Sequence, residues 1–328
     1  MMMDKEALST FFAIHRAKFD RCLEPQMRCE QTAIRAHSIQ NARTLDLLTI
    51  DNHVIALRPR ASETGIQIDY KSVGRNDAST FTGFCSEHDR DIFAPIDTAT
   101  LDTTNSEQRF LLAYRAVSFE LHAIIEKAAK IQNIYRARVG LGWDSPDATS
   151  EAGRLATADL LHAFITWRYR AENFDADLLV KNYSNIQHDV IIFDNQKPCI
   201  AVSSLFSIEG VTREDDNVRI ALNVLPMSPR KTVAVFAYHN IDAELGRSGL
   251  TRVLQATGEQ QKYELSKLII RKMSNFYISP AHFAAWSPGK ADRIKAEFVS
   301  TVLREHRRDI RHEVGEPSQT EHQDFMLF

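Results

Sequence analysis

Phe110, Tyr114, Val117, Leu121, Ile124, Ala128, Ile131 and Tyr135 alternate steps of four and three residues. Such spacing returns to one side of an α-helix at every step, so it predicts a helix of roughly seven turns with a single apolar seam. No other stretch of the chain leaves so little choice of structure. Thr104 and Glu107 stand where a capping box would open the helix, and Gly140 and Gly142 close it after Arg136 and Arg138. A second helical pattern runs from Ser150 to Tyr169 after the turn Trp143-Asp144-Ser145-Pro146, which predicts a helical hairpin over 101–175. Its seam suits an internal core or a symmetric interface, so a homodimer is one expected partner.

The flanking segments read differently. Leu178–Tyr183, Asp189–Phe193, Cys199–Phe206, Val218–Leu225 and Thr232–Tyr238 are rich in Val, Ile and Phe and are separated by turn residues. They predict an antiparallel sheet. Two helices follow, over Gln260–Asn275 and from Lys290 to about His312, with Pro280 and Pro288 marking breaks between them. Before the hairpin, Leu8, Phe11, Phe12, Ile14 and Phe19 suggest an amphipathic helix over 1–21. Short β-like runs at 47–50, 53–57 and 66–70 then suggest a small unit with little core of its own. The expected fold class is α+β: an N-terminal module over 1–100, the hairpin, a sheet-and-helix domain over 176–314, and a tail over 315–328. That tail should be mobile unless its apolar end, Phe325-Met326-Leu327-Phe328, docks on the body or a partner.

The 328 residues are 44% hydrophobic and 25% charged, with a formal net charge of −3. No global field draws the chain to nucleic acid or to an anionic membrane, so any such contact needs a local patch. Asp4, Lys5 and Glu6 break a signal-peptide pattern, and no apolar run approaches a membrane span, which gives the expectation of a cytoplasmic protein with no membrane partner. Four cysteines are too few for a disulfide scaffold.

Three of those cysteines keep histidine company. Cys22, Cys29 and His37 precede the run Phe84-Cys85-Ser86-Glu87-His88-Asp89, and two ligands three apart on a turn are what a tetrahedral zinc knuckle needs. Five groups are available for four positions: His37 is either a ligand, with Cys22 left over, or free for other work. At these residues the chain resembles the zinc-bound form of the HNH, or ββα-metal, nuclease module, a treble-clef-like arrangement, with Ala36-His37-Ser38-Ile39 in the place of that family's histidine run. The resemblance implies a structural zinc on Cys22, Cys29, Cys85 and His88, with His37 as general base. It also implies a catalytic Mg²⁺ or Mn²⁺ near Asp89. The chain departs from the family in lacking a histidine on the helix after the second knuckle, where it offers Asp89 and Asp91, and in having two candidates, Asn41 and Asn52, for the middle asparagine.

Over most of its length the chain is also similar to a bacterial protein group, of an accessory or phage-defence kind, that shares the segments Ala33–Ile39, Phe84–Asp89 and Asn275–Pro280. Two function classes follow. One is a metal-dependent nuclease, or a nucleic-acid-binding protein derived from one, in anti-phage defence. The other is a non-catalytic sensor or interaction protein whose zinc is purely structural and whose C-terminal domain binds a protein partner.

Weaker signals read mostly as structure. Arg115 and His122 on the long helix echo the Arg-x4-6-His of HEPN ribonucleases, a spacing that chance supplies easily. The run Arg304-Glu305-His306-Arg307-Arg308 is a solvated helix face or a phosphate contact. Asp215 and Asp216 belong to a polar hairpin turn, Cys199 to an apolar strand, and the aromatic group Phe276 to Trp286 to packing at a helix break. The chain has no phosphate loop, dinucleotide fingerprint or nucleophile elbow.

Overall fold

The computed structural model describes residues 18–62, 65–194, 196–213, 216–302 and 325–328. The amphipathic pattern before Lys18, Asp215 and the basic run Arg304–Arg308 lie outside these residues. The strands are β1 (Ile34–His37), β2 (His53–Ser62), β3 (Gly65–Gly74), β4 (Thr80–Phe84), β5 (Ile186–Asp194), β6 (Ile200–Arg213), β7 (Asp216–Ser228), β8 (Lys231–His239) and β9 (Phe276–Ile278). The helices are α1 (Ser86–Asp97), α2 (Ser106–Gly140), α3 (Glu151–Arg170), α4 (Ala176–Val180), α5 (Ala243–Gly249), α6 (Thr251–Gln255), α7 (Gly258–Lys272), α8 (Pro280–Phe283) and α9 (Pro288–Val302). The architecture is mixed, with a large antiparallel sheet and helices. No helix among the described residues is long and apolar enough to cross a membrane.

The chain divides into two compact units, one of residues 1–36, 81–94 and 117–183, the other of 37–80, 95–116 and 184–328. In the first, β1 and β4 pair as a two-stranded sheet, and rings from β4, α1 and α2 interlock edge to face. Phe84 meets Phe93 at 5.2 Å, and Phe81 meets Phe119 at 5.4 Å and His122 at 5.7 Å. Further along α2, Ile124 and Ala128 pack with Ala163 of α3, and Lys127 reaches Asp159 at 2.7 Å, so the predicted hairpin exists. At its turn Gly142 adopts a φ of 71°, and the N–H groups of Trp143 and Gly142 bond back to Arg138 and Val139. This pattern needs a residue in left-handed backbone, which glycine supplies without strain. A guanidinium closes the far end: Arg170 is fully buried, pairs with Asp175 at 3.3 Å and approaches Ser118 Oγ at 3.5 Å.

The start of α2 differs from the capping box read in the sequence. Thr104 turns its hydroxyl to Asp102, while Asn105 Oδ1 accepts the Gln108 N–H at 3.1 Å. Asn105 is therefore the N-cap, one residue later, since its shorter amide reaches the third free N–H of the helix directly.

In the second unit seven strands run in the order β3-β2-β9-β6-β7-β8-β5. The hairpin β2–β3, read above as part of a small N-terminal unit, lies in this sheet: Ile55 pairs with Ile278 of β9, and Leu57 and Ile68 join the core with Ile200, Leu222, Phe236 and Ile269. Its apolar residues at alternate positions need a partner face, and β9, three residues long between β2 and β6, provides the ladder. Leu178–Tyr183, read as a strand, instead falls on the end of α4, which stops where Lys181 turns to a φ of 54°. Leu179 and Val180 are 53% and 73% exposed, incompatible with a core strand. The chain end docks: Leu327 is fully buried with its N–H on Ser266 Oγ at 2.9 Å, and the Phe328 ring lies 5.1 Å from Phe193.

Candidate metal centre

Two segments of the first unit build the site. The earlier one is a loop. Arg21 bridges Thr32, and the Ala33 N–H bonds to the Asp20 carbonyl at 2.7 Å, so residues 22–31 are pinched off as a closed excursion. Leu23, fully buried, gives its N–H to the Gly83 carbonyl at 2.7 Å and so lays the loop against β4. A Cβ on Gly83 would stand 2.3 Å from the Phe81 ring, which is wedged between Phe84, Phe119 and His122; only glycine fits. The second segment is the β4–α1 junction. Cys85 is the residue before α1, and His88 lies in the first turn of that helix.

Cys22, Cys29, Cys85 and His88 each turn one ligand atom inward, all within 4.8 Å of one another. Cys29 Sγ is 3.9 Å from Cys85 Sγ, Cys22 Sγ is 3.6 Å from His88 Nδ1, and Cys85 Sγ is 3.2 Å from His88 Nδ1. A tetrahedron with metal–sulfur bonds of about 2.3 Å and metal–nitrogen bonds of about 2.0 Å has edges of about 3.5–3.8 Å. The Cys29–Cys85 and Cys22–His88 separations match those edges, and the cysteines are free thiols. The donor set is thus compatible with a metal site such as zinc. All four corners are side chains of this chain, which leaves a tetrahedral ion no position for a reacting water.

The electrostatics divide the cysteines. Burial pushes the Cys22 thiol up to about 12, opposed by the N–H groups of Cys85 and Glu24. Burial also raises Cys85, but the His88 N–H and ring and the neighbouring sulfurs outweigh it and bring that thiol down to about 7. The start of a helix favours the thiolate in the same sense. The Cys85 N–H points to Cys22 Sγ at 3.3 Å, an interaction that holds a metal-bound sulfur in place.

Glu24 was not singled out from the sequence, yet it organises the loop. Its buried carboxylate accepts N–H bonds from Gln26 at 2.7 Å, from Cys29 at 3.2 Å and from Arg28. Burial raises its pKa, but those N–H groups and His88 overcome it, and the carboxyl is held below its ordinary value. The signal was an acid two residues after a cysteine in a loop with unmatched backbone donors; composition alone does not distinguish it from a surface glutamate.

The remaining candidates are not members of the four-residue group. His37 ends β1 with Nδ1 2.9 Å from the Ala78 carbonyl oxygen and 3.4 Å from Ser79 Oγ, and the group of side chains that could hold a metal contains Cys22 but not His37. Donation from Nδ1 to that carbonyl makes Nε2 the basic nitrogen. Asp89 is half-buried on α1, its N–H bonded to the Cys85 carbonyl at 2.9 Å. Arg115 forms a two-pronged pair with Asp97 at 2.8 and 2.6 Å, while His122 Nε2 lies 2.8 Å from the Phe19 carbonyl oxygen and 3.0 Å from Thr82 Oγ1. Each thus has structural partners. Cys199 is buried, with its thiol on the Lys197 carbonyl at 3.3 Å and burial raising its pKa.

No protein family, curated protein or solved structure matches this chain.

Proposed function

We propose that Cys22, Cys29, Cys85 and His88 bind one zinc ion as a structural staple, and that the protein works by recognition, not by chemistry at that ion. The observation that supports this is the closed donor set, four protein ligand atoms within 4.8 Å. Zinc there would tie the loop at 22–31 to the first turn of α1, and its binding free energy would add to the stability of the folded unit. The partner on this reading is a protein or a nucleic acid met through a local patch, since the net charge of −3 gives no long-range pull.

A second reading keeps the nuclease of anti-phage defence. It is favoured by the order of elements, a strand ending in His37, a second strand paired with it and then a helix whose first turn carries ligands, and by the basic Nε2 of His37. It needs a separate Mg²⁺ or Mn²⁺, with Asp89 among its ligands.

Elemental analysis of the purified full chain tests the first reading. Near-stoichiometric zinc is expected in wild type and His37→Ala, and its loss in Cys85→Ser. Wild type without zinc, prepared without chelators, sinks the staple. His37-dependent cleavage of DNA or RNA with Mg²⁺ or Mn²⁺ would establish the second reading instead.

A further inference from the structure

Residues 325–328 lie on the second unit as a short peptide lies on a receptor. One side chain is enclosed: Leu327 is fully buried among the core residues, with its N–H on Ser266 Oγ at 2.9 Å. Its neighbours are laid across the surface, Phe325 and Phe328 half-buried against the same core and the Phe328 ring 5.1 Å from Phe193. Ser266 is itself fixed, since its hydroxyl donates to the Lys262 carbonyl at 2.7 Å inside α7. The seat therefore takes a leucine followed by an aromatic ring.

Two lysines flank it. Lys197 Nζ lies 3.5 Å from the Ala281 carbonyl, and Lys290 Nζ stands 5.0 Å over the Trp286 ring, which meets His282 edge-on at 5.7 Å. Burial first, then Lys290 and Lys197, bring the His282 pKa down to about 4, against the pull of the Leu327 carbonyl, so lysines, histidine and tail share one neighbourhood. The tail is an incomplete occupant: His282 Nε2 and Trp286 Nε1 are buried without a hydrogen-bond partner among the described residues. Buried polar atoms left so cost free energy, and an occupant that reaches them removes that cost.

We propose that this seat is a docking site for a short segment of a partner protein, a leucine followed by an aromatic residue beside an acidic group, and that residues 325–328 fill it in cis until such a segment displaces them. Lys197 and Lys290 supply the charge complementarity. The acidic group is a side chain or a free terminal carboxylate. One enclosed leucine favours the docked state about 10–100-fold. A tethered occupant acts at an effective concentration of about a millimolar, so the same peptide in trans should bind an open seat with a Kd of about 10–100 micromolar.

Fluorescence anisotropy with a labelled peptide of residues 324–328 tests it on three proteins: the full chain, the full chain with Leu327→Ala, and a chain lacking residues 325–328. The full chain should bind about 10–100-fold more weakly than the shortened one, with Leu327→Ala between them, and circular dichroism should show both variants folded. A peptide carrying Leu327→Ala should not bind at these concentrations. Lys197→Glu/Lys290→Glu in the shortened chain should weaken binding about three- to tenfold. Either amidating the peptide's end or its Asp324→Asn change should also weaken binding, and whichever does identifies the anion; if neither does, the acidic requirement is wrong. No binding to the shortened chain, equal binding to all three proteins, or a body that unfolds without residues 325–328 overturns the proposal. None of these readouts depends on zinc.

Discussion

Replacing Glu24 by alanine tests whether the ligand loop is organised by that carboxylate. In the folded chain it accepts N–H groups from Gln26, Arg28 and Cys29. A hydrogen bond to a charged group contributes about 1.5–3 kcal/mol, but Gln26 and Arg28 are exposed enough for water to replace part of what is lost. The sum is therefore well below three full bonds, and Glu24→Ala should cost about 2–4 kcal/mol of stability. Since Cys29 is one of the donors, zinc affinity should fall by roughly 10–100-fold, as when a group supporting a metal ligand is removed. Glu24→Gln retains one acceptor oxygen but turns an amide N–H₂ towards a backbone donor, and should cost about half as much. Denaturant unfolding with and without chelator, together with zinc competition against a chromogenic chelator, reads both effects. Alanine and glutamine variants that melt and bind zinc as wild type does would show that the loop holds its shape without the carboxylate.

Three further outcomes follow from buried groups. Asp175→Ala removes the carboxylate that pairs with the fully buried Arg170 guanidinium at 3.3 Å and should lower unfolding free energy by about 3–5 kcal/mol, measured by urea titration. Leu327→Ala should cost about 2–3 kcal/mol, because the side chain is wholly enclosed; an unchanged midpoint would mean that the docked tail adds nothing to the sheet core. His122 has a lowered pKa, chiefly from burial and against the pull of the Phe19 carbonyl and Glu126, so the unfolded chain binds its proton more readily than the folded one. Its contribution is thus present above the unfolded value of about 6.5 and fades as pH falls from there towards the folded value. Wild type should lose more stability than His122→Gln between pH 7.5 and 5.5, and equal losses would refute the assignment.

The sequence by itself determined the features whose physics is local. The four-three spacing from Phe110 to Tyr135 made α2, Ser150 capped α3 through the Gly153 N–H, and Gly142 ended the long helix, because each depends on neighbours within a turn or two. Cys22, Cys29, Cys85 and His88 were legible as a candidate metal-binding group through residue type and spacing. Tertiary structure alone decided what distant segments do to one another. Five metal-binding side chains were eligible in the sequence; the close approach of residues 22–29 to the start of α1 gathered four and left His37 on the Ala78 carbonyl. The hairpin at 53–74 carried only an alternating pattern, which states that one face must be buried but not against what, and β9 supplied the ladder from more than two hundred residues away. Glu24 and Gly83 stayed silent for the same reason: a carboxylate is committed only when backbone donors converge on it, and a glycine is required only when a ring such as Phe81 already occupies the space a Cβ would take.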